Sequence, residues 1–430
     1  MEIIENLRWP IWKKTLFRFV FIYLGLQIAP VTWLDAIPGV GSVTQYYGKL
    51  TDWLVIKANA MFFHVRPVLV PENGSGDTSM GWARLWTYLC IAVIVALAWS
   101  ILDRKRPNYI HLNYWLCLFS RYYVILVSLS YGIIKLFGQQ MVFPNLHEMA
   151  TPVGDLLPMR LSWFFIGYSR AYEFFSGAME VLAALLLLYR RTILLGVLVA
   201  TGVFLNVMML NLSYDIPVKI FSMQMEFTCL FLLVNESGRL INFFILNKPA
   251  PAGKVYHFRY TKKWMRINRV VLKCIIVAVG LIFPFYQSYT QPITFSPKNE
   301  PVKNGVYAVV QYRLNSKNVP PSLSDTLRWR DLIFENGLGS IGSNDTLFRH
   351  RYNRAYFSYE LDSATHLLGF KKYANMKEYF MEFKYTIPDS TTIILHGLKG
   401  KDSLYVELKR TNRHFQLAER QFHWLTEHTK

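Results

Sequence analysis

Carboxylates, lysines and amides stand inside apolar runs of this chain, and any chemistry it performs would be done by them. Residues 161–220 hold two long apolar segments joined by Tyr189-Arg-Arg191, with Glu173, Glu180 and Asn206 inside them. A carboxylate at bilayer depth costs roughly 2.5–3.5 kcal/mol on insertion scales, so it should face protein or trapped water rather than lipid. Ser169, Glu173, Ser176, Gly177 and Glu180 recur at helical spacing and are expected on one face. Lys219, Ser222 and Glu226 repeat the pattern, Ser128, Tyr131, Gly132 and Lys135 form a third set, and Gly202 aligns with Asn206. Asn211, Asp215, Lys219 and Lys135 fall near the ends of their segments.

Two readings of these residues stand side by side. In one, Tyr131, Lys135, Ser169, Glu173, Asn206, Asn211, Asp215, Lys219, Ser222 and Glu226 line one polar intramembrane pocket, opening outward, for a small hydrophobic molecule such as a quinone or lipid. Glu173, Lys219 and Lys135 are then the catalytic candidates, with no reaction assigned. In the other, the charges pair as structural glue, Glu173 with Lys135 or Glu226 with Lys219, and Gly132 and Gly177 serve close helix packing.

The elements that must position them are membrane helices. Apolar stretches over about 15–34, 84–102, 115–137, 161–189, 192–213, 218–246 and 270–289 give about seven spans. Basic residues concentrate between them, at Asp103-Arg-Lys-Arg106, at Arg190 and Arg191, and over residues 248–269. By the positive-inside rule these loops and the N-terminus are cytoplasmic, and the C-terminal part is exported. The chain's +19 net charge is accounted for by this pattern, with attraction to anionic lipid headgroups, so nucleic acid is not expected as a partner.

Residues 43–63 repeat apolar positions at helical spacing and read as a helix on the outer membrane surface. The turn Glu72-Asn-Gly-Ser-Gly-Asp-Thr78 reads as a helix cap before the second span rather than a phosphate cradle, because no Gly-Lys-Ser/Thr follows. From Ser296 the period changes to two: Met381, Phe383, Tyr385 and Ile387, then Leu404, Val406 and Leu408, with turns between. This is an antiparallel all-β domain of roughly eight strands, a small barrel or sandwich. The divisions are 1–114, two helices with the surface helix; 115–247, a four-helix core; 248–295, the basic loop and last span; and 296–430, the exported β domain.

Several chemistries lack their residues. The spans contain no histidine pair for haem, and His396, His414, His423 and His428 show no metal-ligand spacing, so no metal is expected. Cys90, Cys117, Cys229 and Cys274 form no CxxC pair.

Residues from about 115 to 245 resemble the DoxX/DoxD-like membrane family. The resemblance lies in Tyr131-Gly-x-x-Lys135, Tyr172-Glu-x-x-x-Gly177 with Glu180, Leu185 to Arg191, and Asn206 leading to Tyr214-Asp-Ile-Pro-Val-Lys219. It implies a four-helix bundle in the bacterial inner membrane, with one branch associated with quinone-linked oxidation of sulfur compounds. That branch makes quinone one candidate for the small hydrophobic molecule, lipid being another, with the cofactor left unassigned; the exported β domain would cover the pocket or recruit an envelope protein. Two alternatives remain: a scaffold or assembly factor recruiting envelope partners through its β domain, and a vitamin K-dependent carboxylase-like enzyme with Lys219 or Lys135 as base.

Overall fold

The computed structural model describes residues 8–29, 41–73, 76–249, 262–291, 301–322, 326–344, 350–351 and 353–420. Residues 30–34 of the first expected span, most of the 248–269 loop, His423, Trp424 and His428 lie outside them. Twelve helices are labelled in chain order: α1 (Ile11–Ile28), α2 (Gly41–Ala58, continued by Asn59–Phe63), α3 (Ser79–Leu102), α4 (Ile110–Leu136), α5 (Leu146–Met149), α6 (Pro158–Tyr168), α7 (Arg170–Leu188), α8 (Ile193–Ser213), α9 (Lys219–Asn235), α10 (Ser237–Ile245), α11 (Lys263–Thr290) and α12 (Gln416–Glu419). The chain divides into two compact units, residues 1–141 with 170–292, and residues 142–169 with 293–430.

Among the described residues of the first unit, five helices, α3, α4, α7, α8 and α11, are long and apolar enough to cross a membrane. A sixth span is reached if α9 and α10, bent by 66° at their junction, count as one. The remaining candidate, α1, carries Lys13, Lys14 and Arg18. Arg18 is buried, and its guanidinium donates to Tyr109 Oη at 2.8 Å, Ser100 Oγ at 2.8 Å and the Asp103 carbonyl at 2.9 Å. With each of its three nitrogens engaged, that charge pins α1 to the end of α3 and the start of α4.

One expected span is two helices. The apolar run over 161–189 breaks at Ser169, whose extended backbone ends α6, and α7 starts afresh at Arg170. Hydropathy does not register such a break, because the residues on both sides are apolar. Helix α4 packs against α7 at Gly132 and Gly177. A Cβ on Gly132 would come within 2.9 Å of the Gly177 carbonyl, and one on Gly177 within 2.6 Å of the Gly132 carbonyl. Only hydrogens fit at this crossing, as in the small-residue contacts of membrane bundles. Val124, Ile125, Leu129 and Ile133 of α4, Ala183, Ala184 and Leu187 of α7, Val197, Ala200 and Phe204 of α8, and Met225 and Cys229 of α9 form the common core.

The expected helix over 43–63 forms as α2. It packs Val55 against Met80 and Ala83 of α3 and leaves Tyr46, Leu50, Trp53, Met61 and Phe62 exposed. Thr78 caps α3, its Oγ1 accepting from the Gly81 amide at 3.2 Å, as the turn sequence implied.

The second unit is an eight-stranded antiparallel barrel. Its ten strands are β1 (Gly305–Leu314), β2 (Lys317–Asn318), β3 (Asp331–Glu335), β4 (Leu338–Gly342), β5 (His350–Arg351), β6 (Arg354–Asp362), β7 (Leu367–Lys371), β8 (Met381–Thr386), β9 (Thr392–Lys399) and β10 (Asp402–Arg410). The order β1-β3-β4-β6-β7-β8-β9-β10 closes through β10 pairing with β1, and the two-residue strands β2 and β5 add to β1 and β6. Period two holds within β8, where Met381, Phe383 and Tyr385 point inward and Glu382, Lys384 and Thr386 outward; Ile387, expected to continue it, lies past the end of the strand and is exposed. Trp329, Phe334, Phe370 and Phe383 fill the interior, with Phe357 stacked on Phe370 at 4.0 Å between centroids. Of the two forms open to eight strands, this one is packed with side chains rather than hollow.

Candidate functional site

The polar residues of the helical unit sort into stations rather than a single ring. On α4 and α7, flanking the Gly132–Gly177 crossing, the Lys135 ammonium donates to Glu180 Oε1, and both residues are buried. The expected partner of Lys135 was Glu173. Because the two helices touch at Gly177, the side chain one turn further along α7 meets the lysine instead.

Glu173 has other company. It is 1% exposed, its Oε1 accepts from the Met141 amide at 3.1 Å, and its Oε2 accepts from Arg170 at 3.3 Å. Arg170 also donates to the Leu136 carbonyl at 3.1 Å and lies over Gly138, whose φ of +62° and missing side chain leave room for the guanidinium. Glu173 thereby ties the start of α7 to the end of α4.

Lys219 stands at the first position of α9. Its Nζ lies 2.7 Å from Asp215 and 3.4 Å from Asp77, so the expected pairing with Glu226 is not formed. Asp77 also accepts from the backbone amides of Lys219 at 2.9 Å and Ile220 at 3.0 Å. A carboxylate 142 residues upstream thus caps the positive end of α9. Sequence reasoning passed over Asp77, because its own turn accounts for a local cap at Thr78 and nothing nearby points to α9.

The other candidates scatter. Ser222 is buried and donates to the Lys219 carbonyl at 2.9 Å, one turn back along its own helix. Asn211 is buried at the end of α8, where its carbonyl accepts from Ile216. Tyr131 is 38% exposed, with its ring 5.9 Å from that of Phe221. Asn206 is exposed, on the side of α8 away from the buried Ala200 and Phe204. Ser169 belongs to the second unit, so it does not continue the Glu173 face; the break before α7 removes the helical phase linking them.

Glu226 differs from its neighbours. It is buried on the core face of α9, and among the described residues its Oε2 has no hydrogen-bond partner. Ser128 Oγ and Glu180 Oε2 are likewise buried without a partner. Such groups need a donor or a proton to be tolerated away from water.

The second unit holds a polar cluster of its own. His147 on α5 is 2% exposed, its Nδ1 lies 2.8 Å from Ser340 Oγ, and its Nε2 lies 3.8 Å from Glu335. Ser340 Oγ accepts from Arg354 Nε at 2.7 Å, which leaves its own proton for His147 Nδ1. Arg354 also pairs with Asp331. Burial, then the Arg354 charge, push the His147 imidazole down to about 3, so it is neutral at ordinary pH. The arrangement resembles a nucleophile and base but is sealed, Ser340 being 0% exposed. It fixes the 142–169 segment to the barrel, with Leu146 and Ala150 packing near Val306, Ile333 and Phe415.

Among the described residues no three His, Cys, Asp or Glu side chains gather as a metal site. The four cysteines are separate thiols.

Comparison with known proteins adds little. The chain is 37% identical over 84 residues to the uncharacterized protein YwoB of Bacillus subtilis (strain 168). That stretch is 20% of this chain, and the chain spans about half, 54%, of the relative's length. No family model matches the chain, and no solved structure matches it.

Proposed function

We propose that this is an integral membrane scaffold, DoxX-like over residues 115–247, that presents its filled β barrel to protein partners in the envelope. The observation that supports it most is how the two candidate lysines and most of the candidate carboxylates are engaged. Lys135 is paired with Glu180, Glu173 with Arg170 and the Met141 amide, and Lys219 with Asp77 and Asp215. Of these, Lys135 with Glu180 joins α4 to α7, the Met141 amide ties Glu173 to the segment after α4, and Asp77 ties α9 to the turn before α3, which holds their register. A lysine acting as a base would instead stand alone in an apolar pocket, which gives the carboxylase-like reading no footing in either Lys135 or Lys219. In the proposed orientation the basic loops and N-terminus are cytoplasmic, α1 serves as a further span, and the barrel faces the periplasm of an inner-membrane protein.

The test is cross-linking in cells followed by purification of the full chain. A scaffold yields a partner whose capture depends on the barrel's outer strands and survives the paired replacement of Lys135 and Glu180 by apolar residues. A purified protein that captures no partner and carries a stoichiometric small molecule sinks the reading.

A second reading rests on Glu226. Its unpaired buried oxygen would suit a hydrophobic ligand bearing a hydroxyl or amide donor, such as a quinol or a lipid. Organic extraction of wild type and Glu226→Gln, followed by mass spectrometry, tests it. Equal ligand content in the two proteins removes Glu226 from any such site.

A further inference from the structure

One polar group of the bundle points the wrong way for a monomer. Helix α8 has 21 residues and no ionisable side chain, and is long enough to cross a membrane. Asn206 lies seven residues before its end at Ser213, about 10 Å along the axis and so within the hydrocarbon. It is exposed, with Gly202 and Met209 beside it at helical spacing, on the side of α8 away from the core residues Ala200 and Phe204. Among the described residues nothing hydrogen-bonds to its amide. An amide brings two donors and an acceptor, and acyl chains satisfy neither.

One turn earlier, Gly202 has no atom within 4 Å of where a Cβ would stand. The backbone is therefore bare beside the exposed amide, and a second helix could approach closely there. At the Gly132–Gly177 crossing such bareness is already filled within the chain; at Gly202 it is not.

We infer that this face of α8 is a homodimer interface, with Asn206 of one copy bonded to Asn206 of the other. The occupant follows from the chemistry. An amide is its own complement: across a two-fold axis the NH2 of each copy meets the oxygen of the other, and both are satisfied together. Because α8 carries no charge, two copies meet without repulsion, whereas a charged partner helix would find no counter-charge. The inference does not rest on the scaffold reading, since a dimer is compatible with either proposed role.

The experiment is the association constant of the full-length protein in mild detergent, by sedimentation equilibrium and native mass spectrometry. Wild type is expected as a dimer. Asn206→Leu should weaken association at least tenfold while leaving the unfolding temperature of the monomer unchanged, as befits an exposed site. Asn206→Gln, which keeps a self-complementary amide, should retain most of the dimer, and Gly202→Ile should weaken it by obstructing close approach. Wild type monomeric at all accessible concentrations overturns the inference, as does an Asn206→Leu protein that dimerises as tightly as wild type. Loss on Asn206→Leu of a different protein, in place of a second copy, would overturn the homodimer as well.

Discussion

The two units solve the same problem with opposite materials. In the barrel the interior is aromatic and the polar side chains alternate outward, so Phe383 is buried while its neighbours Glu382 and Lys384 are exposed. In the helical unit the relation is inverted at places: Lys135, Glu173, Glu180 and Glu226 are inside, and Trp86, Ile94, Leu97 and Leu205 are outside. The exteriors differ accordingly, polar on the barrel and apolar on the helices long enough to cross a membrane. The lesson concerns what holds the interiors. Apolar burial drives the barrel because water is the alternative, whereas lipid offers helices no such drive and leaves packing and polar contacts to set their register.

The largest effects should come from attacking each interior with the wrong tool. Lys135→Met leaves the Glu180 carboxylate buried without a partner and should cost about 3–5 kcal/mol in unfolding of the detergent-solubilised protein. Adding Glu180→Leu should restore much of that loss. Removing a ring from the barrel, Phe370→Ala, should cost a similar 3–5 kcal/mol or so through the cavity it leaves, with no second substitution of charge able to repair it. If the double variant at 135 and 180 is no better than the single, the contrast between the units fails.

A smaller effect sharpens the contrast, because the barrel unit has one buried titratable clamp. The His147 value in the folded protein, about 3, lies below its ordinary 6.5. As the pH falls, the unfolded chain takes the proton first, so the stabilisation is complete above about pH 6.5 and is lost toward pH 3. Roughly 3 kcal/mol should disappear between about pH 7 and pH 4. A protonated ring would face Arg354, with Glu335 3.8 Å away and Asp331 already engaged by that arginine. Following barrel tertiary structure by near-UV circular dichroism during acid titration checks this; His147→Gln should flatten the acid limb.

The smallest expected effect is at Asp77. Asp77→Asn retains an oxygen for the α9 amides but not the charge facing Lys219, and Asp77→Ala removes both; the alanine should cost about 1–2 kcal/mol and the asparagine less. Equal losses in the two would assign the whole contribution to charge.

What could be read from the sequence divides along the same line. The strands were legible because period two persists over short distances: Leu404, Val406 and Leu408 declare an inward face by themselves. Helix faces were legible too, so Gly132 and Lys135 were grouped correctly. The partner of Lys135 was not, since Glu173 and Glu180 occupy one face and only the crossing point at Gly177 chooses between them. Asn206 was placed in the recess through its alignment with Gly202, yet α8 gives no phase to say which way that face turns, being apolar all round. His147 and Asp77 were missed as structural residues because their partners stand 193 and 142 residues away.

The clamp at His147 also orders events during synthesis. Leu146 and His147 leave the ribosome long before Glu335 and Ser340, which follow 189 and 193 residues later. Until then α7, α8, α9 and α11 are still being made, and a histidine and an amide destined for burial lack their partners. Strands β3 and β4 therefore complete a clamp whose opening segment was made before α7, so truncating the chain before β4 would leave that segment without its partners and the barrel unclosed.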